Sequence, residues 1–115
     1  MAVVAFALPI LPGQEDLVRQ MGEDVSGDLR EKYEESRKRL GIREEKVWMQ
    51  RTPIGYSIIV YWETEDPQST LREIASAQDE VDQRFRQLVE NAAPAIDFSK
   101  ENPLSNELLF ELPTR

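Results

Sequence analysis

The chain has 115 residues, with 22 acidic and 14 basic side chains, 40% apolar residues, no cysteine and no histidine. These absences exclude disulfide bonds, thiolate nucleophiles, imidazole bases and metals held by cysteine or histidine, so we expect neither a metal site nor a cofactor. A net charge of −8 and a pI near 4.6 oppose binding to nucleic acid or to anionic membrane surfaces. Length and composition predict one soluble, cytoplasmic domain that spans residues 1–115.

The first apolar stretch, residues 2–11, is predicted to be a strand and not a targeting or membrane segment. No basic residue precedes it, Pro9 interrupts it, and it is far shorter than the roughly 20 apolar residues of a membrane helix. Residues 3–8 are rich in β-branched side chains and apolar at every position. This pattern predicts a first strand that is covered on both faces.

A helical segment follows, in which apolar residues recur every four positions between Leu17 and Leu29 and the stripe continues to Leu40. Two glycines inside this segment predict a kink or break near Ser26, which would then cap the second helical piece. Gly41 follows the last turn and predicts a left-handed C-terminal cap.

The clearest local signal is a pair of strand-like runs, residues 46–52 and 56–64, on either side of Pro53-Ile54-Gly55. The loop predicts a three-residue hairpin in which Thr52 lies opposite Tyr56. Both faces of such a hairpin would be largely apolar. One face should therefore pack against helices, and the other against a second layer, either a cavity or a partner subunit.

The second half of the chain predicts two short helices and a last strand. Asp66 followed by Pro67 is typical of a helix N-terminus, and Asp79 predicts a second start. Leu108, Phe110 and Leu112 alternate with Glu107, Leu109 and Glu111, which predicts a strand over residues 108–112 that is ended by Pro113. The order predicts an α+β, ferredoxin-like βαββαβ fold, with a four-stranded antiparallel sheet and helices on one face.

Several segments carry a resemblance to a known family: Pro12-Gly13, residues 34–42, residues 47–53, residues 58–61 and Asp66-Pro67. Together they resemble a family of small bacterial proteins of unknown function in the dimeric α+β barrel superfamily, over most of the chain from Val4 to about Phe98. The resemblance implies that uncovered sheet faces pair across a homodimer to form a barrel, as in small cofactor-independent monooxygenases and related stress-response proteins. It implies no catalytic residues. Relatives often carry a histidine near the end of the last helix, and residues 91–94 contain none.

The strongest candidate for a ligand-binding site is the predicted face that carries Trp48, Gln50, Tyr56 and Trp62. Two indoles, a phenol and an amide inside a closed sheet would orient a flat organic ligand. The alternative is that the tryptophans pack in the core or in an interface. With Thr52 opposite Tyr56, the two indoles would be diagonal neighbours close enough to touch.

Other charged residues are weaker candidates. Arg51 at the hairpin end is either a partner for an anionic ligand or a solvated edge charge. The basic run 37–39 is typical of a helix end that complements the helix dipole, although it also suggests phosphate binding. The acidic pairs 23–24, 34–35 and 44–45 are read as solubility charges, because neighbours in sequence point to different faces.

Two classes of function stay open. In the first, the chain binds a small molecule, or acts on it as a cofactor-independent monooxygenase-like enzyme, inside the barrel. In the second, it is a non-catalytic dimeric module whose barrel is packed. A cavity of roughly 300 Å³ or more beside Trp48 and Trp62 would favour the first class. Both classes predict a homodimer that forms through the sheet, since helices can cover only one of its apolar faces.

Overall fold

The structure, a computed structural model, describes residues 2–101 and 103–113; Met1, Asn102, Thr114 and Arg115 belong to the predicted domain but lie outside the described residues. Seven elements follow in chain order: β1 (Ala2–Pro9), α1 (Glu15–Ser26), α2 (Arg30–Arg39), β2 (Ile42–Thr52), β3 (Gly55–Thr64), α3 (Pro67–Ser76) and α4 (Glu80–Ala92). The strands form an antiparallel sheet in the order β1-β3-β2. The α+β class is confirmed, with three strands in the described part of the chain where four were predicted.

The hydrophobic core lies on one face of this sheet. Side chains at even positions of β1 and β3, and at odd positions of β2 from Glu45 onward, point toward the helices, and they include the buried Val4, Val60 and Trp62. Before the bulge in β2, Ile42 lies on this face. The other positions form what we call the open face. In a single copy of the chain β1 is covered on one face only, because Val3 on the open face is 50% exposed. The helices pack on one side only, as the ferredoxin-like prediction requires.

The predicted break in the first helical segment is confirmed, but its cap is not Ser26. Ser26 is the last residue of α1, and α2 is preceded by Leu29, which makes no side-chain capping bond. The carbonyl of Asp24 accepts the backbone N–H groups of Gly27 (3.2 Å) and Leu29 (2.8 Å), so the chain makes an extra turn before α2 begins. The left-handed cap is confirmed at Gly41, where φ is 78°.

The hairpin between β2 and β3 forms with a register one residue away from the prediction. Thr52 pairs with Gly55, so only Pro53 and Ile54 lie in the loop. The hydroxyl of Thr52 accepts the N–H of Ile54 (3.3 Å) and donates to the carbonyl of Gly55 (3.1 Å), which stabilises the shorter loop. Proline as the second residue and glycine as the fourth also suit a type I turn. The predicted pairing of Thr52 with Tyr56 is therefore wrong.

Both predicted helix starts in the second half are confirmed. The side chain of Asp66 accepts the N–H of Ser69 (3.3 Å), with Pro67 in the first turn, and Asp79 precedes α4. The two helices contribute Leu71, Ile74 and other buried side chains to the core. Within the described ranges, no helix is long and apolar enough to cross a membrane.

The last predicted strand, residues 108–112, is absent, because residues 103–113 have no regular structure. The segment is nevertheless attached to the free edge of β1. The amide of Asn106 donates to the carbonyl of Ala5 (2.6 Å) and accepts the N–H of Ala5 (3.0 Å). Beyond this attachment the side chains of Leu108, Leu109 and Phe110 are exposed, so nothing in one copy of the chain packs on them to hold a strand.

Candidate functional site

The register of the hairpin divides the four predicted ligand-binding residues between two faces of the sheet. Trp48 pairs with Ile59 and Gln50 with Ser57, which places both on the open face. Tyr56 and Trp62 lie on the helix-covered face. The expected contact between the two indoles is therefore wrong, and these residues do not form a single wall.

Trp62 is part of the core. Its side chain is 0% exposed, and its ring meets Phe6 edge to face with 5.2 Å between centroids. Its indole N–H donates to a carboxylate oxygen of Glu45, the residue opposite it on β2. Trp48, by contrast, is 51% exposed. Trp62 is therefore a packed core residue, whereas Trp48 is not.

The hydrogen bond from Trp62 leads to a buried polar cluster that we call the Glu45 cluster, formed by Tyr33, Arg37, Glu45 and Trp62. Glu45 Oε1 accepts the phenol of Tyr33 and the Nε–H of Arg37, the latter at 3.2 Å. Glu45 Oε2 accepts the indole N–H of Trp62. The side chains of Arg37 and Glu45 are only 7% and 10% exposed, so the ion pair is held away from bulk solvent.

Arg37 connects this cluster to a second buried carboxylate. Its guanidinium carbon lies 4.1 Å from the centre of the Tyr33 ring and 5.1 Å from that of Phe85, so two aromatic rings flank the charge. Its Nη1 donates to Asp82 at 3.2 Å, and Asp82 also accepts the hydroxyl of Ser36 at 2.5 Å. Among the described residues, Nη2 of Arg37 has no hydrogen-bond partner.

Two interpretations of the charged residues are corrected by this cluster. Arg37 is not only a helix-end charge, and Glu45 is not a solubility charge, because both are buried against each other. The spacing of these residues in the sequence already indicated that they could be buried. Residues 45, 47 and 49 share one face of a strand, so Glu45 falls on the face that carries Val47 and Met49. In the same way, Tyr33 and Arg37 are four residues apart and adjacent on a helix.

A cavity of about 400 Å³ lies between α1, α4 and the helix-covered face of the sheet. Its walls are mainly apolar, with Val18, Met21 and Val25 from α1 facing Val47 and Ile58 from the sheet and Phe85 from α4. Tyr33 and Glu45 also line it, so the Glu45 cluster borders this space. Trp48 is a lining residue, whereas Gln50, Tyr56 and Trp62 are not.

A second hollow, of about 520 Å³, lies between the end of α3, α4 and residues 94–99. Arg86 lines it, and its guanidinium donates to the carbonyl of Ile74 at 2.6 Å. This hollow has a more polar surface, and no member of the Glu45 cluster lines it. Arg51, the other candidate for an anion partner, is exposed at the hairpin end, as expected of a solvated charge.

Because Tyr33 is buried, the Glu45 cluster contributes less to the stability of the protein as the pH rises into the alkaline range. Burial raises the pKa of Tyr33 above its ordinary value of 10.0, and the neighbouring Glu45 adds to this effect while Arg37 opposes it. Because the unfolded chain loses this proton first, the contribution of Tyr33 is complete below pH about 10 and is lost as the pH rises above it, by up to about 1.4 kcal/mol per pH unit.

We therefore expect Tyr33→Phe to be less stable than the wild type at pH 8 but to lose less stability between pH 10 and 11. Denaturant unfolding followed by circular dichroism at each pH measures both. Tyr61→Phe is the control for a tyrosine at the sheet surface. Parallel pH profiles for the wild type and Tyr33→Phe would contradict the prediction.

The described ranges contain no group of three or more acidic, cysteine or histidine side chains that could hold a metal ion. Comparisons of the chain with protein-family models, with curated proteins and with solved structures find no match.

Proposed function

We propose that this chain binds a small, largely apolar organic molecule in the cavity between α1, α4 and the sheet. The observation that supports this proposal is the cavity itself, which has apolar walls and a carboxylate and a phenol at its border. Its volume of about 400 Å³ falls within the range of small-molecule sites, about 300–1,000 Å³. A space of this size favours a binding role over a module with a filled interior. Monooxygenase-like activity stays a prediction from the family resemblance.

Gly22 provides a direct test, because it lies on α1 and lines the cavity. A Cβ added there would meet nothing within 4 Å, so a larger side chain has room to enter. Replacing a helical glycine also removes a residue that disfavours helix by about 1 kcal/mol relative to alanine. Gly22→Leu is therefore expected to fold at least as stably as the wild type while partly filling the cavity.

The experiment titrates the wild type and Gly22→Leu with 2-methoxynaphthalene, an uncharged probe, by calorimetry and by NMR of the backbone amides. We expect amide shifts in α1 and β2 and at least tenfold weaker binding to Gly22→Leu. Glu23→Leu, which adds the same side chain at the next position, outside the cavity lining, is the control and should bind like the wild type. Equal affinities for all three proteins, or no binding to the wild type, would contradict the proposed site.

We also propose that the chain forms a homodimer, and that a second copy covers the open face together with residues 107–113. The segment exposes Leu108, Leu109, Phe110 and Leu112, each more than 70%, although Asn106 ties it to the edge of β1. Burying each such side chain would contribute about 1.5–3 kcal/mol. With those side chains covered, the segment is expected to extend along β1 as the fourth strand of the predicted fold.

Sedimentation velocity at micromolar concentration tests this proposal. We expect the wild type to sediment as a dimer and Phe110→Asp as a monomer, since a carboxylate would be buried in the interface. Ile54→Asp introduces the same charge at the hairpin loop, where Ile54 is almost fully exposed, and should remain dimeric. A wild-type monomer at this concentration would overturn the proposal.

A further inference from the structure

The acceptor capacity of Glu45 exceeds the number of donors that the described residues supply to it. An ionised carboxylate has about four acceptor positions. Tyr33 and Arg37 donate to Oε1 and Trp62 donates to Oε2, which leaves one position on Oε2. Glu45 lines the cavity and its side chain is only 10% exposed, so bulk water has little access to that position. A buried charge without full hydrogen bonding is costly, and a donor placed there would be favourable.

Tyr33, the other polar group at this border of the cavity, also has its donor in use. Its O–H donates to Glu45, so toward the cavity its oxygen can only accept a hydrogen bond. Burial favours the protonated phenol and so preserves this arrangement at neutral pH. The donors of Arg37 and Trp62 that reach Glu45 are likewise in use, and neither residue lines the cavity. Both polar groups that do line this border are therefore acceptors.

The remaining polar groups along the cavity are the side chains of Arg19 and Ser26 on α1 and the indole N–H of Trp48 on β2. Arg19 is about half exposed and pairs with Asp16 at 2.9 Å, and Ser26 lies at the end of the helix. Arg19 and Ser26 belong to a different element from Glu45, which lies on β2, and Trp48 belongs to the open face. A ligand that spans the cavity would thus meet apolar walls along its length and acceptors at the border formed by Tyr33 and Glu45.

We infer that the ligand of this cavity is an uncharged apolar molecule with one hydrogen-bond donor, such as the hydroxyl of a phenol or a fused-ring alcohol, which donates to Glu45. The inference rests on the proposed binding function and adds the chemical class of the ligand. A carboxylate or phosphate at the same position would be repelled by Glu45, so the site selects a donor and not an anion.

A matched pair of probes tests this inference: 2-naphthol and 2-methoxynaphthalene, which share the ring system and differ in whether the oxygen carries a hydrogen. We expect wild-type protein to bind 2-naphthol about tenfold more tightly or better, because hydrogen bonds to a charged acceptor are stronger than neutral ones. In Glu45→Gln a neutral amide oxygen replaces the carboxylate as the acceptor, so the affinity ratio should fall several-fold below the wild-type value. The control Glu44→Gln removes the same charge from the neighbouring residue and should keep the wild-type ratio.

A second variant keeps the test informative if Glu45→Gln does not fold. Tyr33→Phe removes one donor to Glu45 and leaves Oε1 with another free acceptor position. Its preference for 2-naphthol should equal or exceed that of the wild type. Loss of the preference in Tyr33→Phe would mean that Tyr33 receives the donor, and the assignment to Glu45 would be overturned.

The possible outcomes separate this inference from the proposed function. If both probes bind with amide shifts around the cavity but with equal affinity, the binding function is supported and the inference on ligand class is wrong. If neither probe binds to the wild type, both fail. Tighter binding of 2-naphthol that is weakened in Glu45→Gln but kept in Glu44→Gln and Tyr33→Phe supports both.

Discussion

Replacement of Trp62 by alanine is expected to lower the free energy of unfolding by about 3–5 kcal/mol, the usual cost of removing a buried tryptophan side chain. Trp62 is 0% exposed and packs edge to face on Phe6. Its removal also takes one donor from Glu45, so a buried carboxylate loses part of its hydrogen bonding. Both effects act in the same direction.

Trp48→Ala is the matched control, because it removes the same side chain from the other face of the same hairpin. Trp48 is 51% exposed, and we expect a loss of about 1 kcal/mol or less. Chemical denaturation followed by far-ultraviolet circular dichroism measures both variants without relying on indole fluorescence. Equal losses for the two variants would contradict the face assignment that follows from the observed register.

Replacement of Arg37 by leucine is expected to destabilise the protein by about 3–5 kcal/mol, because it leaves two buried carboxylates without their shared cation. Arg37 pairs with Glu45 and with Asp82, and the side chain of Asp82 is 0% exposed. Leucine retains apolar volume near the Tyr33 and Phe85 rings but offers no charge and no donors. The cost therefore comes mainly from Glu45, which loses its cation, whereas Asp82 keeps its ion pair with Arg39.

Arg30→Leu is the control on the same helix. Arg30 forms an exposed pair with Glu34 at 3.0 Å, and exposed pairs of this spacing contribute about 0.3–0.5 kcal/mol. Arginine and leucine have similar helix propensities, so the backbone contribution cancels. Urea unfolding of both variants at neutral pH gives the comparison. A loss in Arg37→Leu no greater than that in Arg30→Leu would show that the buried ion pairs are not needed for stability.

Local chemistry made several elements predictable from the sequence. Asp66 and Pro67 begin α3. Gly41 takes the left-handed conformation just after α2, and Pro53 lies in the loop of the hairpin. Each depends on contacts or conformations within a few residues, which the local sequence specifies. The predicted register of the hairpin differs from the observed register by one residue, because Pro53-Ile54-Gly55 suits loops of two and of three residues. That single step moved Trp48 to the face opposite Trp62, since successive side chains of a strand alternate.

By itself, the sequence determined the class of the fold, the order of its helices and strands through α4, and the helix ends set by caps. The tertiary structure decided which charged residues are buried, because Arg37 and Glu45 lie on different elements and meet only when α2 packs on the sheet. It also decided that the cavity borders Glu45 and that, of the four predicted residues, Trp48 alone lines it. The physical reason is the separation along the chain of the groups that interact. Caps and turns form between residues a few positions apart, whereas ion pairs and cavities form only where distant segments pack together.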